Sequence, residues 1–136
     1  MVDNTIPTIL ILSDTFYKIE GNTLPSIDNQ KYNSSNNRLT NSASIERKYL
    51  IQCILSFNSG NNRVCKFGFY DSKLGGIRQP SIIKSTSNGV GRAESVSFSC
   101  VVNHNFGDYL EIWGLGISHT DNIIVDSMNF IVTEIV

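Results

Sequence analysis

Hydrophobic and polar positions alternate with a period of two over most of the chain, and helical spacing is nearly absent. In residues 48–58, Tyr49, Ile51, Cys53, Leu55 and Phe57 fall on one face and Leu50, Gln52, Ile54 and Ser56 on the other. One dry face and one mixed face predict a strand in a sandwich whose outer surface is partly covered, for example by a neighbouring subunit. Residues 64–70 set Cys65, Phe67 and Phe69 against Val64, Lys66, Gly68 and Tyr70. The pentapeptide Asn58-Ser59-Gly60-Asn61-Asn62 between these runs predicts a β-hairpin loop. Residues 95–102 alternate almost purely, with Val96, Phe98, Cys100 and Val102 on one side.

Aromatic and β-branched residues predict further strands at 109–117, 123–125 and 129–135, and weaker ones at 8–12, 16–19 and 81–85. Gly/Asn/Asp/Ser clusters at 71–76, 87–91 and 118–122 break the runs, and Asn88-Gly89 predicts a tight turn. Residues 21–44 differ in being rich in Asn and Ser, with only Leu24, Ile27, Tyr32 and Leu39 as apolar anchors. An irregular edge strand and a surface loop are expected there. Many short strands at turn-delimited intervals predict an all-β sandwich or barrel. No repeat or heptad points to a solenoid, propeller or coiled coil.

The length of 136 residues predicts a single hydrophobic core. Eleven basic and twelve acidic groups nearly cancel, and charged residues make up only 17% of the chain. Nucleic-acid binding is not expected, because counterion release needs clustered Lys and Arg. Asn and Ser, about a quarter of the chain, solvate the surface instead. No apolar run approaches the roughly 20 residues of a membrane span, and the acidic start does not resemble a secretory signal. Synthesis in a reducing cytoplasm is expected. Cys53, Cys65 and Cys100 match no disulfide framework, and their shared face with apolar neighbours predicts small buried side chains.

The residues carry no recognisable catalytic pattern. His104 and His119 sit in loop-like settings, and neither a nucleophile elbow nor a cysteine-protease signature accompanies them. A Cys100–His104 dyad is disfavoured because Cys100 points with the core side chains. Zinc wants closely spaced ligand pairs, which the cysteines do not form. Asp108, Glu111, Asp121 and Asp126 offer loop oxygens without EF-hand spacing. Gly89-Val90-Gly91 lacks the lysine ending and following helix of a phosphate loop. The Asn33-Ser34-Ser35 sequon matters only for a chain that meets the glycosylation machinery. Trp113, between Ile112 and Gly114, predicts a core or subunit-interface position ahead of a ligand-stacking one. We therefore expect no enzyme activity, no cofactor and no metal.

One order of motifs is more specific. Asn105-Phe106-Gly107-Asp108-Tyr109-Leu110-Glu111-Ile112-Trp113, then His119-Thr120-Asp121, then Ile123-Ile124-Val125 and a closing strand from Met128 to Ile135, resembles the end of tumour-necrosis-factor-like and complement-type globular heads. Upstream, Asn37-Arg38-Leu39-Thr40, Arg47-Lys48-Tyr49-Leu50-Ile51-Gln52 and 87–94 resemble the versions on virions of tailed phages and other large DNA viruses. The resemblance covers residues 16–136. It implies a ten-stranded jelly-roll β-sandwich assembled as a homotrimer, with residues 14–136 as the domain.

By that resemblance the chain is expected to be a virion structural protein, a capsid decoration or head-fibre protein partnered by itself and by the major capsid or another virion protein. The alternative is a tail-fibre tip module that binds a host surface glycan or receptor through loops such as 70–76 or 118–122. Tyr49, Tyr109 and Trp113 are the candidate trimer-interface residues. Residues 1–13 are expected to be either a capsid-docking arm, through Ile9, Leu10, Ile11 and Leu12, or the first strand of the sandwich.

Overall fold

The computed structural model describes residues 1–21, the backbone of 32–35, and residues 37–89 and 92–135. Among the described residues there are ten strands: β1 (Tyr17–Lys18), β2 (Tyr32–Ser35), β3 (Arg38–Asn41), β4 (Arg47–Asn58), β5 (Asn61–Asp71), β6 (Gly76–Ile77), β7 (Ile83–Asn88), β8 (Glu94–His104), β9 (Tyr109–Gly116) and β10 (Ile124–Glu134). The helical content among the described residues is one 3-10 turn at Gln79–Ser81, where Pro80 fits the first turn.

The strands form two sheets. The larger runs β2-β3-β9-β5-β6, with β1 beside β3 on the edge of β9 and β7 beside β6 on the edge of β5. The smaller is β10-β4-β8, antiparallel throughout. After β3 the chain changes sheet at almost every connection, passing to β4, back to β5, to β8 after β7, to β9 and finally to β10. The molecule is an all-β sandwich with a strand arrangement consistent with a jelly roll.

The alternating pattern places the core between the sheets. Tyr49, Ile51, Cys53, Leu55 and Phe57 of β4 are buried, as are Cys65, Phe67 and Phe69 of β5 and Leu110 and Ile112 of β9. Phe57 meets Phe67 edge-on at 4.8 Å between ring centres, and Phe69 meets Phe98 at 4.9 Å. Such pairs add dispersion and quadrupole attraction to the burial of apolar area.

Four expectations need correction. Asn58–Asn62 is not a hairpin loop: β4 and β5 lie in different sheets, so the turn carries the chain across the sandwich. Both strands present apolar faces to the same core from opposite sides, and a period of two does not specify which strand pairs with which. The runs 123–125 and 129–135 are parts of one strand, interrupted by a register shift between Val125 and Ser127. The run 8–12 contributes only an isolated bridge from Thr8 to Ile123. The run at 81–85 begins as the 3-10 turn, and its strand lies at Ile83–Asn88. Within 21–44, Leu39 is a core residue, whereas Leu24, Ile27 and the Tyr32 side chain lie outside the described residues. Part of the Asn88-Gly89 turn does as well, since residues 90–91 are not described.

The first residues lie against the sandwich. Met1 accepts a hydrogen bond from the Met128 amide, Asn4 donates to Asp126, and Thr8 and Ile123 exchange both backbone bonds. The segment follows the first half of β10 as an irregular edge. Met1 and Leu10 are buried in the core cluster.

Candidate interaction surfaces

Three surfaces stand out once the core is removed from consideration. The first is the outer face of the small sheet. Register aligns Leu50 with Val101 and Thr133, Gln52 with Ser99 and Ile131, Ile54 with Ser97 and Asn129, and Ser56 with Ser95 and Ser127. These twelve positions hold no charged residue, and Lys48, in register with Asn103, adds a charge at the end of the same face. Ile54, Val101 and Ile131 are exposed there. At one end a cavity of about 340 Å³ is lined by Met1, Val2, Ile54, Met128 and serines 56, 95 and 127, with the Ser56 and Ser127 hydroxyls bonded at 2.6 Å.

The second is the outer face of the large sheet, which is charged and aromatic. Tyr70 stacks on Trp113 at 4.6 Å with planes 13° apart and lies 6.4 Å from Tyr109, over whose ring Arg38 sits at 3.6 Å. Beneath this row Glu111 is almost wholly buried. Its Oε1 accepts from Arg38 Nε and Nη2 at 2.9 and 2.8 Å and pairs with Lys18 at 3.1 Å; its Oε2 accepts from Trp113 Nε1 at 2.9 Å. Burial alone would raise the Glu111 carboxyl, but the bonds from Trp113, Arg38 and Lys18 outweigh it and hold the group below its ordinary value. The carboxylate ties β1 and β3 to β9.

The third is the end of the sandwich formed by the loops at 42–46, 72–75 and 105–108. Asn41 is fully buried beneath it, donating from Nδ2 to the carbonyls of His104 and Asn105, both at 3.0 Å, while its Oδ1 accepts from Ala43 at 3.1 Å. Below lies a buried hydrogen-bonded link between the sheets. His104 Nε2 donates to Asp71 Oδ1 at 2.9 Å, and Arg78 Nε donates to Asp71 Oδ2 at 2.6 Å. Burial pushes the Asp71 carboxyl up, but His104 and Arg78 more than offset this, leaving it at about 2.

The sequence-derived candidates are scattered over these regions. Tyr109 and Trp113 share the outer row of the large sheet, through Tyr70. Tyr49 does not join them: it is buried between the sheets, and its area is already used within one chain. Ile9, Ile11 and Leu12 are exposed at the end opposite the Asn41 loops, near 116–123, where Asp14 bonds to the backbone of Gly116 and Ser118. Leu10 is turned into the core and is withdrawn from any docking row. The loop at 70–76 lies at the Asn41 end, and 118–122 at the other.

The histidines and cysteines are structural here. His119 Nε2 donates to the Val64 carbonyl at 3.0 Å and Nδ1 accepts from the Asp121 amide at 3.2 Å, so both ring nitrogens are occupied. The Cys65 sulfur lies 3.9 Å from Nε2, but a nitrogen that donates its proton elsewhere is no base for a thiol. Burial, with a small contribution from Asp121 and against a bond from Ser59, pushes that thiol up to about 11. Cys100 is pushed up to about 12, again mainly by burial, and Cys53 is raised by burial as well. Among the described residues no three His, Cys, Asp or Glu side chains cluster as metal ligands. Asp108 caps the Asn105 turn, and Asp121 pairs with Arg63. No helix among the described residues is long and apolar enough to cross a membrane.

The sequence did not single out Asp71, Arg78 or Asn41, and it raised His104 and Glu111 only as a disfavoured dyad member and a loop oxygen. A signal existed only for Glu111, a charge in the middle of an apolar strand.

Fold and surfaces together define an all-β sandwich with one sparsely charged sheet face. No protein-family model matches the chain, and no curated protein does. Among solved structures the chain is similar to "Xyl-CBM35 in complex with glucuronic acid containing disaccharide", at 11% identity and a TM-score of 0.36, with 98% of this chain and 92% of that chain covered. A likeness at that TM-score carries no argument about function.

Proposed function

We propose that this protein is a non-catalytic assembly module, a homotrimer displayed on a virion surface as a capsid decoration or head-fibre protein. The observation that supports this reading is the outer face of the small sheet. Twelve registered positions hold no charge, whereas the other sheet carries Lys18, Arg38, Lys66, Lys84 and Glu111 outward. Solvated sheets set polar residues outward, and what suits this face to burial against protein is that Leu50, Ile54, Val101 and Ile131 stand on it among uncharged polar neighbours. The face measures about 14 by 26 Å from strand spacing and rise. That is too small alone for a stable interface, so association must also take in a sheet edge or rim. A face-to-edge contact is heterologous, and a heterologous contact closes into a ring when the rotation between neighbours divides a full turn. The number three, and the virion setting with a capsid protein as partner, come from the resemblance in 16–136.

Sedimentation equilibrium tests the assembly: the expected species has the mass of three 15.1 kDa chains. Ile54→Asp and Ile131→Lys are expected to give folded monomers. A wild-type monomer at micromolar concentration, or a trimer unchanged by both substitutions, overturns the reading. A reconstruction of the particle then locates the chain on capsid, tail or fibre.

A second reading, glycan recognition at a fibre tip, is favoured by the half-exposed row Tyr109–Tyr70–Trp113 beside Lys18 and Arg38. Glycan-array binding lost in Trp113→Ala would support it, and an empty array would remove it.

A further inference from the structure

Asn88 is followed by Gly89, and no other asparagine of the chain precedes a glycine. The pair matters because the backbone nitrogen after an asparagine can close a cyclic imide on the side-chain carbonyl, and a side chain on that next residue crowds the attack. Asn88 ends β7 and is exposed, and Gly89 takes a φ of 125°, which residues with side chains rarely adopt. Among the described residues a Cβ on Gly89 would meet only Asn61 Oδ1, at 3.8 Å, so this peptide stands open. The Gly89 carbonyl accepts from the Arg92 amide at 3.3 Å, whereas the Gly89 amide donates to no acceptor among the described residues. Elsewhere the corresponding nitrogen is engaged or crowded. The amide after Asn58 bonds Ser87 Oγ at 2.9 Å, and the one after Asn122 bonds the Thr8 carbonyl at 3.1 Å. The exposed Asn61, Asn62, Asn103, Asn105 and Asn129 all precede residues with side chains.

The Asn88 side chain also has a structural task. Its Nδ2 donates to Glu94 Oε1 at 2.8 Å, which joins the end of β7 to the start of β8. Ring closure destroys that donor. The Gly89 nitrogen gives up its proton and attacks Asn88 Cγ; an N–Cγ bond forms, the Cγ–Nδ2 bond breaks, and the side-chain nitrogen leaves as ammonia, carrying a proton in place of the one lost from Gly89. Water then opens the imide at either carbonyl. Cleavage at Cγ yields aspartate, and cleavage at the main-chain carbonyl yields isoaspartate, whose main chain runs through Cγ and is one atom longer. Either product sets a carboxylate where Glu94 had a donor, and like charges so close repel. Among the described residues Arg63 is committed to Asp121, and the Arg92 side chain bonds neither Asn88 nor Glu94. In isoaspartate the extra atom falls opposite Asn61, where the β5–β7 register already shifts.

We propose that Asn88 is a site of spontaneous deamidation through the Gly89 nitrogen, and that the carboxylate so formed parts the end of β7 from the start of β8. Water is the only co-reactant. The reaction needs no partner chain and does not rest on the assembly or glycan readings.

The test is incubation of the full chain at pH 8, with peptide mapping by mass spectrometry and enzymatic methylation of isoaspartate at intervals. The peptide carrying Asn88 is expected to gain the mass difference between amide and acid and to accept methyl groups, about tenfold or more faster than any other asparagine. Asn88→Gln, which would have to close a larger ring, is expected to show neither. Asn88→Asp supplies one product directly. Its amide hydrogens at 84–88 and 94–98 are expected to exchange about tenfold faster than those of the parent, and adding Glu94→Gln is expected to restore the parent rate. Mapping of the parent chain decides the site even if a variant fails to fold, and exchange in the incubated parent then reads the consequence. No product at Asn88, faster reaction at another asparagine, or unchanged exchange once the carboxylate is present overturns the proposal. A chain that proves monomeric or binds no glycan leaves these readouts unaltered.

Discussion

Replacing the Asp71 carboxylate by an amide, Asp71→Asn, tests the link between the sheets. Asp71 and His104 are both wholly buried, with Arg78 on the second carboxylate oxygen. The carboxyl titrates at about 2 in the folded chain, against roughly 3.9 when unfolded. A group with a depressed folded pKa stabilises the fold fully above its unfolded value and loses that contribution as pH falls towards its folded one. The difference corresponds to about 2 to 3 kcal/mol at neutral pH, lost between about pH 5 and pH 2. The amide variant would forfeit this and turn its NH2 group towards one of two donors, so the expected loss is about 2 to 4 kcal/mol at pH 7. Urea unfolding followed by Trp113 fluorescence measures it, at one protein concentration because assembly shifts the midpoint. The gap between parent and variant should shrink to below about 1 kcal/mol near pH 2. A gap below about 1 kcal/mol at pH 7, or one that persists unchanged to pH 2, refutes the reasoning.

Three further outcomes follow from the same contacts. Gly116→Ala places a methyl 2.5 Å from His119 Cε1 and 2.7 Å from its carbonyl oxygen; thermal unfolding should show a loss of about 1 to 3 kcal/mol. Glu111→Gln weakens the pairing to Arg38 and Lys18, and should cost about 1 to 3 kcal/mol while amide exchange quickens in β1 and β3 ahead of β4. Burial holds all three thiols above their ordinary range, so a disulfide reagent at pH 8 should leave the native chain unlabelled and modify three groups in urea.

The strands were legible in the sequence wherever one face was dry. The alternation in 48–58 and 95–102 marks β4 and β8 to within a residue or two at each end, because burial on one face demands that pattern. Strand partners were not legible. Asn58-Ser59-Gly60 has the chemistry of a hairpin turn and serves equally well as a crossing between sheets. The sparsely charged face was half visible in Leu50, Gln52, Ile54 and Ser56, but only the register adds the serines of β8 and the Asn129–Thr133 run of β10. Asn41, Asp71 and His104 look like ordinary loop or strand-end residues. What sets them apart is long-range contact, which local pattern does not encode.

The order of the small sheet has a consequence for how the chain is made. β4 is its central strand, and both of its neighbours come later, β8 at Glu94–His104 and β10 at Ile124–Glu134. During synthesis β4 therefore waits with both edges bare, and one edge stays bare until Ile124–Glu134 has left the ribosome. A chain stopped short of β10 is left with an open template for aggregation in place of a smaller working domain. Residues 124–134 thus decide whether those made before them remain in solution.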